Sequence, residues 1–404
     1  MSGVASFLPV ALLAFVFVLS IVVVVHELGH YWAARIFDTE IDQFSIGFGR
    51  ALIHWRDKYG VQWRVGWLPL GGYVRFAGDE NAASVPDQDD LQALRRAVIE
   101  TRGEAALGRY FQFKPLWQRA IITAAGPISN FILAIVLFAA LVMAFGEIWI
   151  EPKVKLSTPT GAAAVAGVRD GDVIQRMNGE AIRSFGDLQS FTRTHAGTKV
   201  VIDLDRQGAP VTVTATPVLT QIDDRVGGRM KVGILGLESH PDVRIERRRL
   251  NPIDAVGYGA GQTWRVLSLT VTYLGKVITG KIPADQIGSL LGIGNTAGKV
   301  AQAGAEGAPN AAWGLFGAVV ALLSLTAYLS ISVGFMNLLP LPVLDGGHLV
   351  FYAYEAVARR PLPVRIQAVS YRLGLALLVG FMLFATWNDL QRLRVFTFLG
   401  DLFS

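Results

Sequence analysis

The sequence predicts a polytopic α-helical membrane protein with about four transmembrane helices, a β region lying at membrane depth and one extracytoplasmic α+β domain. Three observations lead there. Of 404 residues, 52% are hydrophobic and only 17% charged, too apolar for a soluble enzyme, a coiled coil or a disordered chain. Four charge-poor stretches are long enough, or nearly so, to cross a bilayer. Between them lie two segments in which polar and apolar residues alternate with the period of a strand. The chain has no cysteine, which excludes a disulfide framework, a thiolate metal site and a cysteine nucleophile. Its net charge of +5 comes from scattered basic residues, suited to anchoring loops against anionic lipid rather than to binding nucleic acid.

The first stretch is uncharged as far as Val25 and ends in His26-Glu27, which places transmembrane helix 1 at 1–30. A signal peptide is the alternative, but the basic n-region and small-residue cleavage site it requires are missing. Transmembrane helix 2 is placed at 118–147, around the run between Arg119 and Glu147. Helix 3 and the motif that follows it occupy 311–350, since no charge occurs from Ala311 until Asp345. Helix 4 is drawn at 371–390 around a short run, about Leu373 to Asn388, with Arg372 snorkelling to the interface. Residues 239–310 read as a linker containing one amphipathic segment, Val266 to Leu274, too short to span.

Loop charge sets the orientation. Arg35, Arg50, Arg56, Lys58, Arg64 and Arg75 follow the first span, and Arg359, Arg360 and Arg365 follow the third. Positive-inside places both loops in the cytoplasm and the N-terminus outside. Arg392 and Arg394 run against that assignment, though later charges weigh less. The long segment after the second span is then extracytoplasmic.

Residues 31–117 form a cytoplasmic or membrane-depth region. Within it, Ile41 to Gly49 and Val61 to Val65 alternate, and Gly71-Gly72 opens a third run. Trp55, Trp63 and Trp67 make this stretch too apolar for a solvated loop, and β-structure at membrane depth must be buried against protein. Residues 152–238 alternate in shorter runs, such as Val200 to Leu204 and Val211 to Thr214, with Gly208-Ala209-Pro210 read as the hairpin turn.

The chemistry centres on His26-Glu27-Leu28-Gly29-His30. On a helix, positions 26 and 30 lie one turn apart on one face, so both imidazoles can reach one metal, with Glu27 placed to act on a water there. Two histidines and a carboxylate at membrane depth are expensive unless they serve a site. Catalytic zinc takes three protein ligands. His195 and His240 fall on the wrong side of the membrane. Asp345, a lone carboxylate ending a long apolar run and preceded by Pro340 and Pro342, supplies the third, with His348 as the rival.

These motifs, with Asn337-Leu338-Leu339-Pro340-Leu341-Pro342-Val343-Leu344-Asp345-Gly346 and the four spans, resemble the site-2 protease family, intramembrane zinc metalloproteases. The likeness is greatest to the bacterial branch that regulates extracytoplasmic sigma factors. Residues 166–179, with Gly233-Ile234-Leu235-Gly236, resemble a circularly permuted bacterial PDZ domain, placed at 152–238. The resemblance implies that His26, His30 and Asp345 bind Zn2+ and that Glu27 is the general acid/base. It implies that Asn337 holds substrate near the metal and that 41–76 is a membrane-reentrant β-structure able to pair with extended substrate, through glycines such as Gly47, Gly49, Gly71 and Gly72. Implied partners are single-pass membrane proteins, anti-sigma factor-like or remnant signal peptides, already cut by another protease, together with a peptide or chain-end ligand of the PDZ domain and the lipid bilayer. The implied location is a bacterial inner membrane, with the PDZ domain periplasmic and the active site near the cytoplasmic face. A non-proteolytic zinc-binding PDZ scaffold is the alternative. Two features depart from the branch: a single PDZ module where known members carry two, and Ile287-Gly288-Ser289-Leu290-Leu291-Gly292-Ile293 lacking the proline usual before the third span.

Overall fold

A computed structural model describes residues 2–79, 88–223, 229–243, 245–280 and 288–392. In chain order the elements are α1 (Ser2–Ile36), β1 (Ile41–Arg56), β2 (Gln62–Phe76), α2 (Gln88–Arg102), α3 (Leu116–Phe145), β3 (Glu147–Ile150), β4 (Val154–Leu156), α4 (Ala162–Val165), β5 (Val173–Met177), β6 (Glu180–Ala181), α5 (Phe185–Thr194), β7 (Val200–Arg206), β8 (Ala209–Ala215), β9 (Val218–Asp223), β10 (Arg229–Ile234), β11 (Leu237–Ser239), β12 (Ile245–Arg248), α6 (Pro252–Ile278), α7 (Leu290–Ala305), α8 (Ala311–Asn337), α9 (Asp345–Ala358) and α10 (Val364–Arg392). They group into two compact units, 1–138 with 259–267 and 287–404, and 139–258 with 268–286.

In the first unit, α1, α3, α8 and α10 are long and apolar enough to cross a membrane. Large apolar side chains stand exposed along all four, among them Leu13, Ile132, Leu315 and Leu377, as expected of helices whose solvent is lipid. The fourth helix is longer than its sequence signal, 29 residues, because charged ends such as Arg365 and Asp389 extend a helix without extending its apolar run. The helices touch where side chains are small. A Cβ on Gly29 of α1 would sit 2.3 Å from the Ala125 carbonyl of α3. Ala134 and Phe138 of α3 bury themselves against Ala327 and Ile331 of α8, and Ser330 donates to the Asn130 carbonyl at 2.8 Å.

The supposed linker is structured. Within 239–310, β12 pairs with β3, α6 is a 27-residue helix, and α7 packs against α1 and α8 through Ala297, Ala301, Ala14, Val18 and Leu322. Its glycines and alanines, which read as linker composition, are what permit the approach: Gly298 lies against Ala11 and Gly304 against Gly317. The first turn of α7 is held by α10, where buried Asp389 accepts from the Ser289 backbone N–H at 2.5 Å, the Ser289 hydroxyl at 2.6 Å and the Gly292 N–H at 2.8 Å.

Strands β1 and β2 each bend, so two strands supply four paired segments. Residues 41–46 lie between 72–76 (Ile41 opposite Phe76, Ile46 opposite Gly72) and 62–65 (Phe44 opposite Trp63), while 51–56 close a hairpin on 62–66. The segment 72–76 is therefore an edge. Phe44 is fully buried and stacks on Trp63 at 4.3 Å, and with Tyr31 and Ile122 these residues pin the sheet to α1 and α3.

The second unit is a small α+β structure. An antiparallel sheet ordered β6-β5-β7-β8 packs Ile174, Met177, Ile202 and Leu204 against Phe185, Leu188 and Phe191 of α5. Ser184 and Asp187 close a capping box on α5. The β7–β8 turn falls on Gln207-Gly208, both with positive φ. Ala209 and Pro210 belong to β8, where Pro210 faces Asp205. A proline is tolerated there because β8 is a sheet edge.

Candidate metal centre

Helical geometry brings His26 and His30 onto one face of α1, with ring centroids 4.9 Å apart. The third group arrives from 315 residues further along. After α8 ends, the chain turns back tightly over the start of α9. A Cβ on Gly346 would lie 2.3 Å from the Leu338 carbonyl, and one on Gly347 2.2 Å from that of Leu341. Only glycines admit that turn, and it aims Asp345, the first residue of α9, at α1. Asp345 Oδ2 is 3.2 Å from His26 Nε2 and 3.5 Å from His30 Nε2, and the two Nε2 atoms are 3.3 Å apart.

These spacings fit a tetrahedral zinc ion. With bonds of about 2.0–2.1 Å to nitrogen and oxygen, the edge of a coordination tetrahedron is about 3.3–3.4 Å. His30 donates its Nδ1–H to the Ile122 carbonyl at 2.9 Å, which leaves a lone pair on Nε2. Asp345 Oδ2 is buried without a hydrogen-bond partner. With His26 Nε2 beside them, three potential ligand atoms converge at one buried point, an arrangement that a cation stabilises. Among the described residues these three form the group able to hold a metal ion.

Asn130 of α3 completes the surroundings. Its side-chain amide is 3.3 Å from His26 Nδ1, and its Oδ1 is buried with no partner. A half-turn of the amide lets Oδ1 accept from His26 Nδ1–H, which frees Nε2 for the metal; such outer partners set ligand tautomers. Gly126 leaves the space in which both rings stand, since a Cβ there would lie 2.2 Å from His30 Nε2 and 2.9 Å from His26 Cε1. The sequence pointed to neither role. Both depend on a helix about 100 residues away.

Glu27 lines the same cavity of about 490 Å3, together with Asn337, Gly72 and His348. The Val74 backbone N–H reaches the Glu27 carboxylate, and a Cβ on Gly72 would fall 2.9 Å from Glu27 Cγ. Gly47, Gly49 and Gly71 lie elsewhere in the sheet, at its bends. Gly47 (φ +82°) sits against the Leu68 carbonyl, and Gly71 against the Phe48 ring. His348 is not among the three converging groups, and the Tyr371 hydroxyl lies 2.9 Å from its Nε2.

Residues 14–381 match peptidase family M50. The chain is 51% identical over 401 residues to metalloprotease MmpA of Caulobacter vibrioides, covering 98% of this chain and 99% of that protein. It is 38% identical over 389 residues to a provisionally named zinc metalloprotease of Agrobacterium fabrum, Atu1380, covering 96% and 97%. To a similarly named protein of Rhizobium meliloti, R01501, it is 37% identical over 380 residues, covering 93% and 95%.

Proposed function

Since the chain belongs to peptidase family M50, the site-2 proteases, and is a zinc metalloendopeptidase with four helices long enough to span a membrane, we propose that it cuts single-pass membrane proteins within their transmembrane segments, as a step of regulated intramembrane proteolysis in a bacterial inner membrane. In this reading His26, His30 and Asp345 hold the zinc, and Glu27 is the general acid/base. The observation that carries it is the set of three converging ligand atoms, spaced as a tetrahedral edge and joined to helices whose outward surfaces suit only lipid.

Zinc, when bound, supplies Lewis acidity that polarises the scissile carbonyl and favours ionisation of water. Glu27 takes a proton from the attacking water as the C–O bond forms. It returns that proton to the amide nitrogen as the C–N bond breaks. Asn337, on the cavity wall, holds the substrate carbonyl. A transmembrane helix hides its amides in its own hydrogen bonds, so the cut segment must be extended. The edge 72–76 beside Glu27 gives that segment replacement partners by strand addition.

The substrates this reading favours are anti-sigma factor-like proteins or remnant signal peptides that another protease has shortened. The unit around 152–238 serves as an extracytoplasmic PDZ module that excludes substrates still carrying bulky external domains. Support for that role comes from the Gly-Asp and Gly-Ile-Leu-Gly motifs and the strand-rich core.

Glu27→Gln is the decisive variant. It should keep zinc at the stoichiometry of the parent while cleavage of a single-span substrate falls by at least about a thousandfold, as with loss of a group acting in the transition state. Zinc-dependent cleavage persisting in that variant removes Glu27 from the mechanism. Chelator-insensitive binding of partners with no cleavage by the parent protein establishes the scaffold instead.

A further inference from the structure

Helix α9 carries a polar stripe that no motif announces. Asp345, His348, Tyr352 and Glu355 stand at i, i+3, i+7 and i+10, one face of a helix, about 15 Å from end to end. All four line the cavity that holds His26, Glu27 and His30. Beyond Asp345, each is steadied by a neighbouring helix. The Tyr371 hydroxyl of α10 lies 2.9 Å from His348 Nε2 and 3.3 Å from Nδ1. Tyr352 is hydrogen-bonded to Thr123 of α3. Glu355 pairs with Arg119 at 2.7 Å, and that guanidinium also lies over the Tyr352 ring at 5.1 Å. The lining of the cavity also includes the edge segment, with Gly72, Tyr73 and Val74.

Strand addition alone leaves half of the desolvation problem unsolved. A substrate strand laid along 72–76 pairs the peptide groups on one of its edges, while those on the other edge point away. In lipid an unpaired N–H or C=O is costly. The stripe lines the same cavity as 72–74 and carries groups able to partner that second edge. One hydroxyl cannot satisfy both ring nitrogens of His348, so the imidazole keeps hydrogen-bonding capacity for another group.

We propose that the polar face of α9 is the second wall of the substrate cleft. His348 and Tyr352 hydrogen-bond the main-chain groups of the extended segment that face away from 72–76, and Tyr371 positions His348. This rests on the reading that the substrate is bound as a strand along that edge. The stripe thereby reads the extended backbone rather than side chains.

A backbone-edited substrate series tests it. In a single-span peptide, one amide at a time around the scissile bond is replaced by an ester, which deletes one N–H donor. Binding of each peptide is measured on zinc-loaded, full-length protein carrying Glu27→Gln, alone and combined with Tyr352→Phe or Tyr371→Phe. Each of these two substitutions removes one oxygen and keeps the ring. In the protein with Glu27→Gln alone, esters should weaken binding about tenfold wherever a hydrogen bond is lost, at positions facing either wall. Either tyrosine substitution should reduce the penalty to under about twofold at α9-facing positions and leave it intact at those facing 72–76. Penalties that stay fully additive overturn the proposal and reduce the stripe to a path for water. Uniformly absent penalties overturn strand addition itself, and with it both walls.

Discussion

Glycines around the metal centre and glycines at the sheet turns of the second unit serve opposite purposes. Around the metal centre, Gly29, Gly126, Gly346 and Gly347 each stand where a Cβ would lie 2.2–2.3 Å from a backbone carbonyl or a ligand nitrogen. In the second unit Gly167, Gly179 and Gly208 have open space around them and serve turns with φ of 90°, 83° and 88°. In the first case helices and a turn have been drawn together until no side chain fits, and the site exists because of that closeness. In the second an ordinary core of alternating strands is closed by permissive turns. Substitution should therefore destroy chemistry in one unit and only loosen folding in the other.

The sharpest separation is expected from the ligand itself. Asp345→Asn should cut zinc occupancy of the purified protein severely and abolish cleavage, because a neutral amide replaces the one anionic ligand. Unchanged stoichiometry would move that role to another residue. Gly126→Ala should come next, lowering zinc affinity by about 10–100-fold, the range for a disturbed ligand surround, with the α-helical circular dichroism retained. If Gly126→Ala binds zinc normally, closeness of α3 to the two rings is not what holds the site. In the second unit, Asp172 is buried and held by Arg206 through two contacts of 2.9 and 2.7 Å. Asp172→Ala strands that guanidinium and should lower the unfolding temperature by several degrees, with zinc content unaltered. A loss of zinc in that variant would break the contrast between the units.

The smallest effect concerns Asp79, on the cavity wall near the end of β2. Burial pushes its carboxyl up to about 6, against the hydrogen bond from the Gln112 amide. An unfolded aspartate titrates near 3.9, so the folded protein binds the proton more tightly. That stabilisation is complete below about pH 4 and is lost as pH rises through about 6, by on the order of 3 kcal/mol. Melting curves from pH 4 to 7 should show the decline, and Asp79→Asn should flatten it.

What could be read from the chain alone follows from how local each signal is. His26, Glu27 and His30 sit within a single turn and a half of helix, so spacing alone brings them together. Asp345 was legible because a carboxylate ending a long apolar run has few other uses. Asn130 and Gly126 were hidden, since their roles depend on the approach of α3 to α1, which no periodicity encodes. His348 read as a rival ligand, and only the three-dimensional arrangement leaves it outside the group formed by His26, His30 and Asp345. The 239–310 segment read as a linker because its small residues raise no apolar peak, although they let α7 lie directly on α1. Bent β1 and β2 were recognisable as strands, but not as a four-segment sheet with an edge beside Glu27.

Asp389 has a practical corollary. Only 15 of the 404 residues follow it, yet its carboxylate anchors the start of α7, and α7 in turn rests on the helix bearing both histidines. Trimming the C-terminus to shortly before that aspartate, an edit that on paper spares every chemically active group, would uncap a helix in contact with α1. Shortened forms meant to ease expression should therefore retain the fourth helix through Asp389.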